Sequence, residues 1–151
     1  IRAKNMEQKK ALLLLSGGKD SLLAIDVLQK QGFLVSGLCI NGIQGIEKIG
    51  AKQAAEKFSI PLTIVSISFF DETTWNPVKL IVRDLAMGIA AIKEAKKIEA
   101  TYIATGVKFD DIKNPSLRWL KYFIKFGDLA FAIFGIKLIF PVWNEVTYDS
   151  N

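Results

Sequence analysis

Six consecutive residues, Ser16-Gly17-Gly18-Lys19-Asp20-Ser21, join two glycines, two hydroxyls, a cation and an acid directly behind an apolar run at residues 11–15. Glycines lack Cβ and let backbone N–H groups approach an anion closely. A helix starting behind them adds its dipole and its unpaired donors. The Ser16 and Ser21 hydroxyls offer further hydrogen bonds. Holding a phosphate is the chemistry this composition suits. An ordinary strand-to-helix turn with Asp20 or Ser21 as N-cap accounts for one glycine and one capping residue, not for all six. The spacing is neither the Walker pattern nor the dinucleotide fingerprint G-x-G-x-x-G.

A second group, Thr105-Gly106-Val107-Lys108-Phe109-Asp110-Asp111, ends in two adjacent carboxylates. Asp110 and Asp111 suit Mg²⁺, which takes oxygen ligands and bridges phosphates. The same pair also fits a solvated turn or a helix cap. Arg83 has the chemistry to clamp a phosphate bidentately and offset growing charge, or to pair with Asp84 on the surface.

The elements that must position these residues alternate in type. Strands are expected at residues 11–15, 33–40, 61–67, 101–105 and 136–140, from short apolar runs rich in β-branched residues. Helices are expected at 20–31 with a glycine stop at Gly32, at 46–58, at 77–98 with Pro77 in the first turn, and at 115–135 with a break near Gly127. The first helix has apolar positions Leu22, Leu23, Ile25, Val27 and Leu28, and the second has Ile49, Ala51, Ala54, Ala55 and Phe58 as its expected inner face. In the third, Leu80, Ile81, Leu85, Met87, Ile89, Ala90 and Ile92 stand in helical spacing. Such alternation gives an α/β fold: a doubly wound, mostly parallel five-stranded sheet with helices on both faces, Rossmann-like. Ligands of such sheets bind at the carboxyl ends of strands, where strand order reverses. That rule points to residues 16–21, 41–45 and 105–111.

Composition narrows the function classes. The chain has 151 residues, half of them apolar, which suits a single domain with a real core. We expect residues 1–10 to be a tag remnant or loose N-terminus. Residues 11–151 are then expected to form one domain. The net charge of +5 suits phosphate-rich ligands such as ATP or RNA without requiring them. One cysteine and no histidine exclude disulfide frameworks, Cys-x-x-Cys sites and His-based triads. Cys39 is expected to pack as a small hydrophobe. The apolar stretch 119–143 carries Lys121, Lys125, Asp128 and Lys137, each costing roughly 2.5–3.5 kcal/mol inside a membrane. It is therefore expected as a buried helix and strand, or as a homodimer contact, rather than a span. No signal peptide is visible at residues 1–10, so a cytoplasmic location is expected.

The six-residue loop in its strand–loop–helix setting resembles the PP-loop of the N-type ATP pyrophosphatases, and element order extends the resemblance over most of the chain. Thr105–Asp111 resembles the Thr-Gly-x-x-x-Asp-Asp signature of tRNA-modifying members, the lysidine-forming and 2-thiolating enzymes. The histidine and the glutamine or glutamate that accompany that signature are absent here. Phe140-Pro141-Val142-Trp143 resembles a Pro-Leu-Trp segment of diphthamide-forming ligases, and equally fits a last strand ending at proline. The resemblance implies the HUP-type fold and cleavage of ATP between its α- and β-phosphates, with adenylation of a substrate. It implies that the domain at residues 11–151 binds a nucleotide and lacks, or works with, a further substrate-recognition region. It implies nucleotide contacts from Ser16, Gly17, Gly18, Lys19, Asp20, Ser21, Ile40, Asn41 and Gly106. Catalytic roles are implied for Lys19, Asp20, Arg83, Asp110 and Asp111, the last two also holding Mg²⁺. Implied partners are ATP, tRNA, and a sulfur or ammonia donor protein, with no membrane. An amide-forming ligase acting on a small molecule or protein side chain, or a non-catalytic nucleotide sensor resembling universal stress proteins, remain as alternatives.

Overall fold

Leu12 and Leu13 have no exposed surface, and the sheet is built outward from the strand that carries them. The computed structural model describes residues 8–15, 19–41, 46–66, 77–108, 113 and 120–144. Among these, five strands, β1 (Lys10–Leu14), β2 (Leu34–Asn41), β3 (Leu62–Ser66), β4 (Tyr102–Thr105) and β5 (Lys137–Ile139), alternate with four helices. These are α1 (Lys19–Lys30), α2 (Ile46–Phe58), α3 (Pro77–Ile98) and α4 (Leu120–Ile133). All strand pairs are parallel, in the order β3-β2-β1-β4-β5. The expected fold class and the strand–helix alternation are both present.

Alternate residues of each strand serve opposite cores, which is why the strands read as continuous apolar runs. Leu13, Leu15, Val35, Cys39 and Ala104 pack with Ala24, Ile25 and Leu28 of α1 and Ala51, Ala54 and Ala55 of α2. Leu12, Leu38 and Ile103 pack with Ala91 and Ala95 of α3 and Phe131 of α4. The chain winds outward from β1 through α1 and α2 to β3. It then returns under α3 to the other side of β1. Strand order therefore reverses between β1 and β4. The α3 crossover is tied at both sides. Thr63 donates its hydroxyl to the Glu94 carboxylate at 2.9 Å, and Lys10 donates to the Ile98 carbonyl at 3.4 Å.

Some of the apolar residues expected in helices lie outside. Ile49 is 62% exposed and Ile89 71%. At 100° per residue, Ile49 sits about 200° from Ala51, so it cannot share the face of Ala51, Ala54, Ala55 and Phe58. In α3 the alanines 91 and 95 face the sheet and the bulky neighbours flank them. Gly127 does not break α4. It lies where the helix passes β5, and a Cβ there would stand 3.8 Å from Leu138. Nor are the described side chains of α4 buried as expected: among them only Phe131 is enclosed, while Phe126, Leu129 and Ile133 form an exposed apolar stripe. The helix overlies the edge of the sheet, where β5 has only three residues to cover it. This is the stretch from which the sequence leads one to expect a subunit contact. Among the described residues no helix is long and apolar enough to cross a membrane.

Each described helix ends in the same way. The N–H donors of Phe33, Ile60, Ala100 and Ile136 reach back to the carbonyls of Leu28, Ala55, Ala95 and Phe131 at 2.8–3.0 Å. The residue before each donor has positive φ: Gly32, Ser59, Glu99 and Gly135. These are Schellman caps with an apolar residue following. Two of them place a side chain where glycine is favoured. Ser59→Gly and Glu99→Gly are each expected to stabilise the fold by about 0.5–1 kcal/mol, the left-handed strain outweighing the entropy that glycine adds to the unfolded chain. Urea unfolding midpoints check this; an unchanged or lower midpoint would contradict it.

Candidate functional site

The carboxyl ends of β1 and β4 lie side by side, with Leu14 level with Thr105. On the other side Leu14 is level with Leu38, and β2 runs on to Asn41. The end of β1 thus sits in a recess between a longer strand and the turn that follows β4. From this recess α1 rises, starting at Lys19.

Three residues meet there. Asp20 stands in the first turn of α1. Gly106 follows β4 and approaches the Asp20 backbone so closely that a Cβ would lie 3.4 Å from its carbonyl carbon and oxygen. Lys108, two residues on, places its Nζ 2.9 Å from Asp20 Oδ1, with the lysine side chain 4% exposed and the aspartate 46%. Ser21, beside Asp20, is buried. Ser21 and Lys108 are the two buried polar or charged residues among those described. Both adjoin Asp20, so the buried polarity of the described structure is concentrated at one strand end.

The structure therefore brings together four expected or neighbouring positions, Asp20, Ser21, Gly106 and Lys108. Ile40 and Asn41 stand one strand away at the end of β2, level with Val65 and Ser66 of β3. Ile40 packs on the α3 side of the sheet. Lys19 opens α1 and Arg83 lies on α3, but their side chains, like that of Asn41, lie outside the described residues. So do Ser16, Gly17, Gly18, Asp110 and Asp111. Among the described residues no group of three His, Cys, Asp or Glu side chains stands together to hold a metal. The Phe140–Trp143 segment follows β5. Val142 is buried in the α1-side core and the Phe140 and Trp143 rings meet edge to face at 5.2 Å. That is the expected strand ending at proline, serving to close the core.

Lys108 is the site residue that reading the sequence missed. A single lysine after an apolar strand looks like surface. It is buried against Asp20, a partner far away in the chain.

No family model matches the chain. A curated relative does: the tRNA-specific 2-thiouridylase MnmA of Sulfurimonas denitrificans is 32% identical over 117 residues, covering 65% of this chain and 34% of that protein. In its sequence and fold the chain is similar to the PP-loop superfamily of adenine nucleotide alpha-hydrolase-like proteins. The chain spans about a third of that relative's length and is distantly homologous to ATP-dependent tRNA-thiolating enzymes. Solved structures share its fold. A 4-thiouridine synthetase in complex with RNA and bound ATP matches with a TM-score of 0.65 at 22% identity, over 91% of this chain and 37% of the other. A predicted subunit of tRNA methyltransferase from Methanocaldococcus jannaschii matches with a TM-score of 0.57 at 18% identity, over 91% and 70%.

The PP-loop aspartate and Lys108 should be energetically coupled. Removing Asp20 leaves a buried ammonium without this counter-charge, whereas removing Lys108 leaves a half-exposed carboxylate that water can solvate. Asp20→Ala is expected to destabilise the fold by about 1–3 kcal/mol, more than Lys108→Met does. The double variant should recover part of that loss. Denaturant unfolding of the three variants measures the coupling; additivity within about 0.3 kcal/mol would contradict it.

Proposed function

We propose that this chain is the ATP-binding domain of an enzyme that adenylates its substrate with release of pyrophosphate, acting in tRNA modification. The observation carrying this reading is the convergence of Asp20, Ser21, Gly106 and Lys108 at the strand-order reversal. Asp20 and Ser21 are the last two residues of the Ser-Gly-Gly-Lys-Asp-Ser run, in a chain homologous to a tRNA 2-thiouridylase.

In the proposed reaction a substrate oxygen attacks the α-phosphorus of ATP. The oxygen–phosphorus bond forms, the bond to the β-phosphate bridge breaks, and its electron pair leaves with pyrophosphate. A nucleophile then displaces AMP. The backbone donors of residues 16–21 and the start of α1 hold the phosphates, with Lys19, Asp20 and Ser21 as contributing side chains. Gly106 lets the turn after β4 close against α1 without a side chain between them. Ile40 and Asn41, at the end of β2, are placed to offer backbone groups to the adenine. Arg83 offsets charge on the nucleotide and the adenylate.

Magnesium bound here supplies charge neutralisation on the phosphates. The described residues offer the isolated carboxylate of Asp20, one oxygen of which faces Lys108. This suits an ion that keeps phosphate and water oxygens as most of its ligands. Asp110 and Asp111 are the further protein carboxylates proposed for it.

The acceptor chemistry is constrained by sulfur. The chain's one cysteine, Cys39, is fully buried in β2, so it offers no thiol to a substrate. The displacing nucleophile is therefore ammonia, an amine, or sulfide delivered from a separate donor or domain.

With ATP, magnesium, bulk tRNA and an ammonia or sulfide source, the products should be AMP and pyrophosphate. Asp20→Ala, checked for folding, should lower their formation by at least about tenfold. ADP and phosphate as products, or unchanged turnover in that variant, would overturn the reading. Affinity for tRNA should fall steeply with salt as phosphate counterions are displaced; a salt-independent affinity would point instead to a small-molecule or protein substrate.

A further inference from the structure

Lys108 is a buried cation to which the proposed reaction gives no task. An ammonium at 4% exposure is costly unless a negative charge compensates it. Here the compensating group is a carboxylate in the first turn of α1, at the mouth of the phosphate-binding loop. The exposures are unequal. The lysine is enclosed and the aspartate is half open to solvent, so the cation is the fixed member and the carboxylate is the member being held.

A carboxylate in a first helical turn is drawn to the helix's own unpaired N–H donors. At this site those donors are the ones a phosphate would use. An uncompensated aspartate would compete with the phosphates for them and would also repel the triphosphate. We infer that Lys108 is a positioning residue. It neutralises Asp20 and holds its carboxylate toward β4, which keeps the donors at the start of α1 available to the nucleotide. The inference rests on the proposed placement of nucleotide phosphates at residues 16–21. Gly106 is part of the same device. By bringing the turn after β4 within van der Waals distance of the Asp20 backbone, it sets the short reach across which Lys108 meets the carboxylate.

The test is calorimetric binding of α,β-methylene-ATP with magnesium to the wild-type chain, to Lys108→Met and to Lys108→Met/Asp20→Asn. Circular dichroism confirms that each is folded. Lys108→Gln replaces the methionine variant if that one does not fold. Removing the lysine alone leaves one uncompensated negative charge near the phosphates. At an effective dielectric of about 20 this should weaken binding by about 10- to 100-fold. Removing both charges should recover part of that loss, the remainder being the phosphate and magnesium contacts proposed for the Asp20 carboxylate. A purely structural role for Lys108 would not produce that restoration. A Lys108→Met variant that binds like wild type overturns the inference. So does a double variant as weak as the single one, since the lysine would then act on the phosphates directly. A wild-type chain that does not bind the analogue overturns the nucleotide reading itself, and the inference with it.

Discussion

A lysine ammonium enclosed beneath the first turn of a helix requires a negative charge within reach, and here that requirement brings two segments of chain together. The 2.9 Å contact between Lys108 and Asp20 joins the start of α1 to the turn after β4. These two segments belong to different halves of a doubly wound sheet. Around that contact the fold places a glycine, whose Cβ would stand in van der Waals contact with the Asp20 backbone, and a buried serine. The pair is both a constraint on folding and the electrostatic setting of the site. Within it the Asp20 carboxylate is balanced by a cation inside the protein.

The rest of the scaffold makes that meeting rigid. β1 and β4 are paired along their length, and their alternate residues feed two separate cores, so neither strand can slip without turning its apolar side chains to the wrong face. The helices carry matching caps at their carboxyl ends, each delivering an apolar residue into the start of the next strand. Opposite these caps, the carboxyl ends of the strands run on in sequence into the segments that carry glycines, acids and hydroxyls.

Much of this is legible in the residues. Apolar runs bounded by glycine and proline mark every described strand to within two residues at each end, because central parallel strands are apolar on both faces. The Ser-Gly-Gly-Lys-Asp-Ser loop points to the switch point by composition alone, since it holds more than a turn requires. The failures have physical causes. Ile49 and Ile89 are apolar yet exposed because small alanines, not the largest residues, lie closest to the sheet. Ser59 and Glu99 stop helices in a conformation that glycine usually signals, so nothing in their identity marks them. Lys108 is invisible in the sequence as a buried group because its environment is supplied by Asp20, and a single lysine has no periodicity to betray which way it faces.

The central claim is that the end of β1 holds the phosphates of ATP beside a charge-balanced Lys108–Asp20 pair. A crystal structure of this chain soaked with α,β-methylene-ATP and magnesium tests it most directly. The account predicts triphosphate density against residues 16–21, next to Gly106, with Lys108 still bound to the Asp20 carboxylate. Density for the nucleotide anywhere else on the sheet, or an Asp20 carboxylate turned into the loop with its lysine released, would contradict it.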